Sequence, residues 1–378
     1  MLNTDIIQKE FPQAEGLKYL NHAAVAPWPK RTKDAVVAFA HENITYGASR
    51  YHLFNEKEDQ LRRQLQVLIN APSINDIALL KNTSEALSVV AAGIKWKTGD
   101  NVVTSAEEFP SNWIPWDAQI VHGVSLKKVD IRNERPEQVL MDACDKRTRV
   151  LTVSSVQFSS GIRLDLEVLG DFCKANGILF CVDAIQSIGA HAMDVQKIQA
   201  DLVMADGHKW MLGPEGLALF YSNAAIRDEL NLYQYGWHMT STPDDYDITS
   251  WQPATSAKRF EPGSNNLLGI HALSASLSLI EELGMAAIEK ELAVKVSYLM
   301  DKLTKLDRVS LITPTNPRQR AGIVAFQVAG ADLRELHKRL LEDRVICAYR
   351  GGAIRFSPHY YTSMQCLDNS LDVLSVNI

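Results

Sequence analysis

Four short stretches place chemically capable residues where an open sheet would expose them. In such a sheet ligands collect outside the carboxyl ends of the strands, so polar residues directly after an apolar run are the candidates. In KNTSEAL (Lys81 to Leu87), Asn82 can cap a helix and Glu85, three residues on, can reach back as in a capping box. Thr83 and Ser84 then add hydroxyls to free backbone N–H groups at a positive helix end, which makes a phosphate cradle. CVDAIQSIGA (Cys181 to Ala190) sets Asp183 at the end of an apolar strand, where an unpaired carboxylate needs a cation such as a protonated heterocyclic nitrogen. DGHKW (Asp206 to Trp210) holds Lys209 between two strands and beside Trp210, where partial desolvation lowers an amine's pKa and makes it a nucleophile toward carbonyls. AIRFSPHYY (Ala353 to Tyr361) raises Arg355 from a strand, and an arginine fork suits a carboxylate.

Alone, each stretch also fits an ordinary role: a capped helix, a solvated strand-end acid, a snorkelling lysine, a structural salt bridge. Together they supply a phosphate anchor, an acid facing a pyridine nitrogen, an imine-forming lysine and a carboxylate clamp. One chemistry needs all four, pyridoxal phosphate catalysis. In it the aldehyde condenses with Lys209, an incoming amino acid displaces the lysine, Asp183 keeps the ring nitrogen protonated, and freed Lys209 shuttles the proton.

The elements that must position these groups are short apolar runs alternating with helical stretches. The runs are Ile77 to Leu80, Asn101 to Thr104, Val150 to Val156, Ile178 to Val182, Leu202 to Ala205 and Leu217 to Tyr221. The alternation predicts a parallel sheet covered on both faces. Leu166 to Gly177 reads as a helix ending on an Asn176-Gly177 cap. After about residue 260 the texture changes: Ile288, Leu292, Val296, Leu299 and Leu303 form one stripe on a long helix. A smaller α/β domain then reads from strands at 322–328, 345–349 and 353–358 with a helix at 333–343. The expected domains are 17–260, and 261–378 with residues 1–16 packed alongside.

The chain has 378 residues, 46% apolar and 22% charged, enough for two domains with real cores. Its 39 basic and 45 acidic residues give a net charge of −6, which disfavours nucleic acid and anionic membranes as partners. The N-terminus lacks the apolar run of a signal peptide and no later run nears a membrane span, so a cytoplasmic protein is expected. Five cysteines, an odd number without a CxxC pair, read as reduced thiols, most of them buried.

With these residues in hand, the chain resembles class V aminotransferases of pyridoxal phosphate fold type I, whose members include cysteine desulfurases, kynureninases and isopenicillin N epimerase-like proteins. The likeness runs from YLNHAAVAP (Tyr19 to Pro27) to Ser363, through the ordered series NTSEA, EFPSN, VDAIQS, DGHKW, FEPGSNN and IRFSPH. It implies a large domain with a mostly parallel seven-stranded sheet covered by helices, a smaller C-terminal α/β domain, and pyridoxal 5'-phosphate as cofactor. By resemblance, Thr83, Ser84 and His208 bind the phosphate, Asp183 pairs with the pyridine nitrogen and Gln186 with the ring hydroxyl. Phe109 stacks on the ring, Lys209 carries the imine, and Arg355 takes the substrate α-carboxylate, with Asn21 and His22 lining the substrate side. Ser264, in FEPGSNN, corresponds to a hydroxyl that reaches the phosphate of a neighbouring subunit, which implies a homodimer with shared active sites.

Departures from the pattern bear on the reaction. Desulfurases with a short catalytic loop carry a persulfide-forming cysteine a little before the arginine, and AYRGGAIR (Ala348 to Arg355) has none; Cys347 lies closer than that cysteine should and within an apolar strand. Phe158 replaces a frequent substrate-facing asparagine, and Asp206 a frequent serine. The expectation is an enzyme acting on a small amino acid or primary amine, foremost by transamination to a keto acid, with a C–S lyase, desulfurase-like or epimerase-type reaction as the alternative. Arg350 is a second cation suited to a distal acid group of the substrate. A dinucleotide-binding protein is disfavoured, since GxGxxG, the P-loop pattern and HExxH are all missing, and no metal is expected.

Overall fold

The computed structural model describes residues 4–247 and 249–378. Thirteen strands occur in chain order: β1 (Lys18–Tyr19), β2 (Ile77–Leu80), β3 (Asn101–Ser105), β4 (Ser125–Val129), β5 (Thr148–Ser154), β6 (Leu179–Asp183), β7 (Leu202–Asp206), β8 (Ala218–Ser222), β9 (Val309–Leu311), β10 (Val324–Val328), β11 (Val345–Ile346), β12 (Ala348–Arg350) and β13 (Ala353–Phe356).

Seven of them form the main sheet in the order β2-β8-β7-β6-β5-β3-β4. The pairs from β4 through β7 are parallel, and β8 runs antiparallel to both β7 and β2. β2, β3, β7 and β8 are buried along their whole length because both faces of the sheet are covered, including the polar residues of β3. The unexpected strand is β4, SLKKV, which carries no apolar run. It forms the sheet's edge, with lysines at its exposed and half-buried positions.

The helix Leu166–Asn176 links β5 to β6, capped by the Asp165 carboxylate at its start and by Gly177 in the left-handed region at its end. This crossover aligns the carboxyl ends of β5 and β6, so Ser154 and Asp183 stand side by side in the ladder. The second sheet, β12-β13-β10-β9, is antiparallel, and β1 pairs separately with β11. The run expected as one strand at 345–349 therefore divides at Cys347: its first half pairs with β1 and its second with β13.

Packing changes hands later than composition does. The helix Leu267–Leu283 lies on the helices Lys30–Tyr46 and Tyr51–Leu68, and its Ile270, Leu273, Leu277 and Ile280 join the core beneath the main sheet. The shift occurs inside the next helix, Met285–Leu303, where Ile288 belongs to that core and Leu292, Val296, Leu299 and Leu303 to the second one. The N-terminal segment, expected beside the small domain, packs instead on the large core. Glu10 pairs with Arg31 at 2.9 Å, and Phe11 stacks on Tyr361 with ring centroids 3.5 Å apart. Among the described residues no single helix is long and apolar enough to cross a membrane.

One buried ionic cluster fastens the FEPGSNN segment to the sheet. Arg62 donates to Glu261 at 2.6 and 2.7 Å, to Glu58 at 2.7 Å and to the Ile77 carbonyl at 2.8 Å. Glu261 also accepts from the Leu79 N–H, and Asn265 donates to both acids. Removing the arginine strands two buried carboxylates. Arg62→Ala is expected to lower stability by about 3–5 kcal/mol, read as a drop in denaturation midpoint. Arg63→Ala, on the exposed face of the same helix, is expected to stay within about 0.5 kcal/mol.

Candidate active site

The carboxyl ends of β5, β6 and β7 open into a cavity of about 370 Å³, a size suited to a small cofactor. It gathers Thr83, Ser84, Phe109, Asp183, Gln186, His208, Lys209, Arg350 and Arg355 from five separate segments. A larger cavity of about 940 Å³ lies behind it and holds none of these groups. The two share a wall: Ser154 and Gln186 face the smaller cavity, while Ser155 and Ser187, hydroxyl to hydroxyl at 2.6 Å, face the larger.

Lys209 follows β7 in a tight segment, and its ammonium lies 5.7 Å from the centroid of the Phe109 ring. Burial pushes the amine down to about 8; Arg355 and Arg350 add to the shift, and Asp183 and Asp206 oppose it. Asp183 ends β6, is 2% exposed, and accepts the Ile185 N–H at 3.0 Å. No lysine or arginine comes within ion-pair distance of it among the described residues, and burial pushes its carboxyl up to about 6. An acid so placed suits a cation that a ligand brings.

The phosphate cradle has the expected form with one change. Asn82 caps the helix Thr83–Gly93 through the Glu85 N–H at 2.9 Å, but the Glu85 carboxylate reaches one residue further back, to the Lys81 N–H at 2.6 Å. The first N–H groups of this helix have no intrahelical partner. Thr83 Oγ1 accepts from the Asp206 N–H at 3.1 Å, and the Ser84 and Ser111 hydroxyls meet at 2.6 Å. The Asp206 carboxylate lies 3.0 Å from His208 Nδ1, without the alignment of a hydrogen bond. The acid that replaces a serine thus has a histidine beside it.

On the ring side, Phe109 and Phe158 meet edge to face at 5.2 Å. The Gln186 amide accepts from the Trp210 indole at 2.9 Å and donates to the Ala23 carbonyl at 3.0 Å, which leaves one amide hydrogen for a ring hydroxyl. Arg355, 2% exposed, donates to the Phe158 carbonyl at 2.6 Å and to Asn21 Oδ1 at 3.3 Å. Asn21 acts behind the arginine and does not line the cavity. His22 is also displaced from its expected place: it is fully buried, bonded to the Ser357 carbonyl and the Tyr361 hydroxyl, and burial pushes it down to about 4. Ser264 is exposed and outside this cavity.

The group that sequence reasoning passed over is Glu108, directly before Phe109. It is buried and accepts four hydrogen bonds, from Asn112 Nδ2 (3.0 Å), Ser154 N (2.7 Å), Ser154 Oγ (2.5 Å) and Gln157 Nε2 (2.8 Å). Burial pushes its carboxyl up to about 7, against these donors. One side chain therefore ties the Phe109 turn to the end of β5 and to the loop whose Phe158 carbonyl holds Arg355. An acid directly before the aromatic residue of EFPSN was the available signal. Ser154 was reachable by the strand-end rule, whereas exposed Glu215, another lining residue, had none.

The residues present fit pyridoxal phosphate: a helix start with hydroxyls, an unpaired buried acid, a desolvated lysine and a flanking aromatic ring. When bound, this group supplies an electron sink for the substrate Cα. Thr83, Ser84 and His208 would hold its phosphate, Asp183 and Gln186 its ring, and Lys209 its aldehyde carbon.

The aminotransferase class-V family model matches residues 18–364. A probable cysteine desulfurase of Methanothermobacter thermautotrophicus is 28% identical over 99% of this chain and 98% of its own length. Among solved structures, the cysteine desulfurase of Thermococcus onnurineus aligns with a TM-score of 0.88 at 24% identity, over 100% of this chain and 98% of that one. A cystine C–S lyase solved with cysteine persulfide aligns with a TM-score of 0.91 at 23% identity, over 97% and 99%.

The lowered pKa of Lys209 gives a direct check. Reductive trapping of pyridoxal phosphate on the cofactor-free protein by borohydride is expected to rise as pH increases through about 8, instead of the ordinary lysine value near ~10.4. The pyridoxyl group should map to the Lys209 peptide by mass spectrometry and vanish in Lys209→Ala.

Proposed function

We propose that this chain, which belongs to the aminotransferase class V family, breaks the Cβ–S bond of a cysteine-type amino acid with pyridoxal phosphate as cofactor. Transamination was the leading expectation from the sequence. The curated relatives that match nearly the full chain are named cysteine desulfurases, and this supports the C–S alternative instead.

The chain's own residues define the form of that reaction. Arg355 orients the α-carboxylate, and its fixed hydrogen bonds to Phe158 and Asn21 hold the guanidinium in one plane. Lys209 Nζ takes the Cα proton, a role suited to an amine whose pKa lies near 8. Asp183 keeps a proton on the pyridine nitrogen. Phe109 and Phe158 give the site an apolar wall.

The observation that carries the elimination reading is the state of the thiol nearest to Arg355 along the chain. Cys347 is 3% exposed, packs in the second core, and burial pushes its thiol up to about 12. A thiol so protonated cannot take sulfur from the substrate as a thiolate would. The sulfur therefore leaves with the bonding electrons, and the carbon skeleton ends as a keto acid and ammonia. The reading also includes a second copy of the chain, with Ser264, exposed on the segment that Arg62 fastens, serving a neighbouring subunit's phosphate as the family resemblance implies.

The test is product analysis of the holoenzyme with cysteine-type amino acids and no keto acid. Pyruvate and ammonia are expected in equal amounts, and Cys347→Ala is expected to retain the activity within about twofold, as a residue with no part in the reaction. Amino transfer that requires an added keto acid would favour transamination.

A further inference from the structure

Arg350 and Arg355 stand on one hairpin, and its register fixes their relation. Ala348 lies opposite Arg355, and Arg350 lies opposite Ala353. Directly opposed residues of an antiparallel ladder share a face, as do residues two apart on one strand. The two arginines thus occupy diagonal corners of a four-residue patch, their Cα atoms about 7–8 Å apart, with small alanines at the other corners. Both arginines line the cavity that holds Lys209.

The turn between them has no slack. Gly351 (φ 57°) and Gly352 (φ 76°) form a two-residue connection with both residues in the left-handed region, the hairpin geometry that glycine favours. A Cβ on Gly351 would come within 3.0 Å of the Ser159 side chain. Where desulfurases of the short-loop kind carry a thiol, this chain has a tight turn led by an arginine.

Among the described residues neither guanidinium has an acid within ion-pair distance. Arg355 bonds only to neutral oxygens and keeps its buried Nε unpartnered; Arg350 donates to the Tyr349 carbonyl at 2.9 Å. Glu215, the exposed acid of the cavity, forms an ion pair with neither among the described residues. Burial and the neighbouring Arg350 charge together push Arg355 down to about 10. Two cations held close without a counter-charge suit a ligand that brings two anionic groups.

We propose that Arg355 and Arg350 form a two-point clamp for an α-amino acid with a second acid group, Arg355 taking the α-carboxylate and Arg350 the anionic group beyond Cβ. This rests on the lyase reading of the same site. In that reading the second acid belongs to the departing half, a thioether or disulfide with an anionic far end. The Cβ–S bond breaks with both electrons going to sulfur, the Cα proton passes to Lys209, and the sulfur half leaves as a thiol or persulfide once protonated. Water then converts the remaining three carbons to pyruvate and ammonium.

Two measurements test the clamp on the holoenzyme. In calorimetric titrations glutarate is expected to bind at least about tenfold tighter than butyrate, the lower end for a charge-assisted hydrogen bond because Arg350 is exposed. Arg350→Gln should erase that advantage, and Arg350→Lys should restore part of it. In turnover, the ratio of kcat/KM for S-carboxymethylcysteine over S-propylcysteine should fall about tenfold in Arg350→Gln. Equal affinity for the two acids, or a ratio unmoved by the substitution, overturns the clamp even if both thioethers are cleaved. Tight glutarate binding that depends on Arg350, with neither the thioethers nor cystine cleaved, upholds the clamp and defeats the lyase reading instead.

Discussion

Where the carboxyl edge of the main sheet faces the second sheet, a lysine, an aspartate and an arginine are held out of water without being paired to one another. Lys209 is pushed down, Asp183 up and Arg355 down, each chiefly by burial. Burying charge this way costs more than burying pairs, and folding leaves the cost in place. What can relieve it is a ligand with complementary parts: an electrophilic carbon for the amine, a protonated ring nitrogen for the acid, a carboxylate for the guanidinium. The site is thus prepared for a cofactor and a substrate together.

Holding three unpaired groups still requires a stiff surround. Glu108 joins three backbone segments through four hydrogen bonds, so Phe109, Ser154 and the Phe158 carbonyl move as one unit. Gln186 is clamped between Trp210 and Ala23, which ties the acid's strand to the lysine's turn and to the N-terminal segment. The Arg62 cluster does the same for the segment around Glu261. Placement by several independent hydrogen bonds is what lets a site act within a fraction of an ångström.

The same stiffness narrows the chemistry. A two-glycine turn connects the strands that carry Arg350 and Arg355, and the Cys347 thiol just before it is sealed in a core. Under the proposed C–S cleavage the substrate's departing half takes the electrons, with the arginine at the turn as its partner.

Much of this was legible in the amino-acid order. Six of the seven main-sheet strands announce themselves as apolar runs, since burial on both faces demands it, and the strand-end rule then picks out Asp183, Lys209, Thr83 and Ser84. The edge strand β4 was hidden because an edge needs no apolar run, and the packing boundary was hidden because Leu267–Leu283 is apolar whichever core it joins. His22 read as a substrate-side group because residue type says nothing of direction; in the fold its ring turns inward to Ser357 and Tyr361. The sequence by itself determined which groups exist and that one cofactor could use them all, because those depend on residue type and local spacing. Only the tertiary structure decided that Glu108 is a hub and that Arg350 and Arg355 share a face, because both depend on hydrogen bonds and strand register set by partners distant along the chain or by the exact length of a turn.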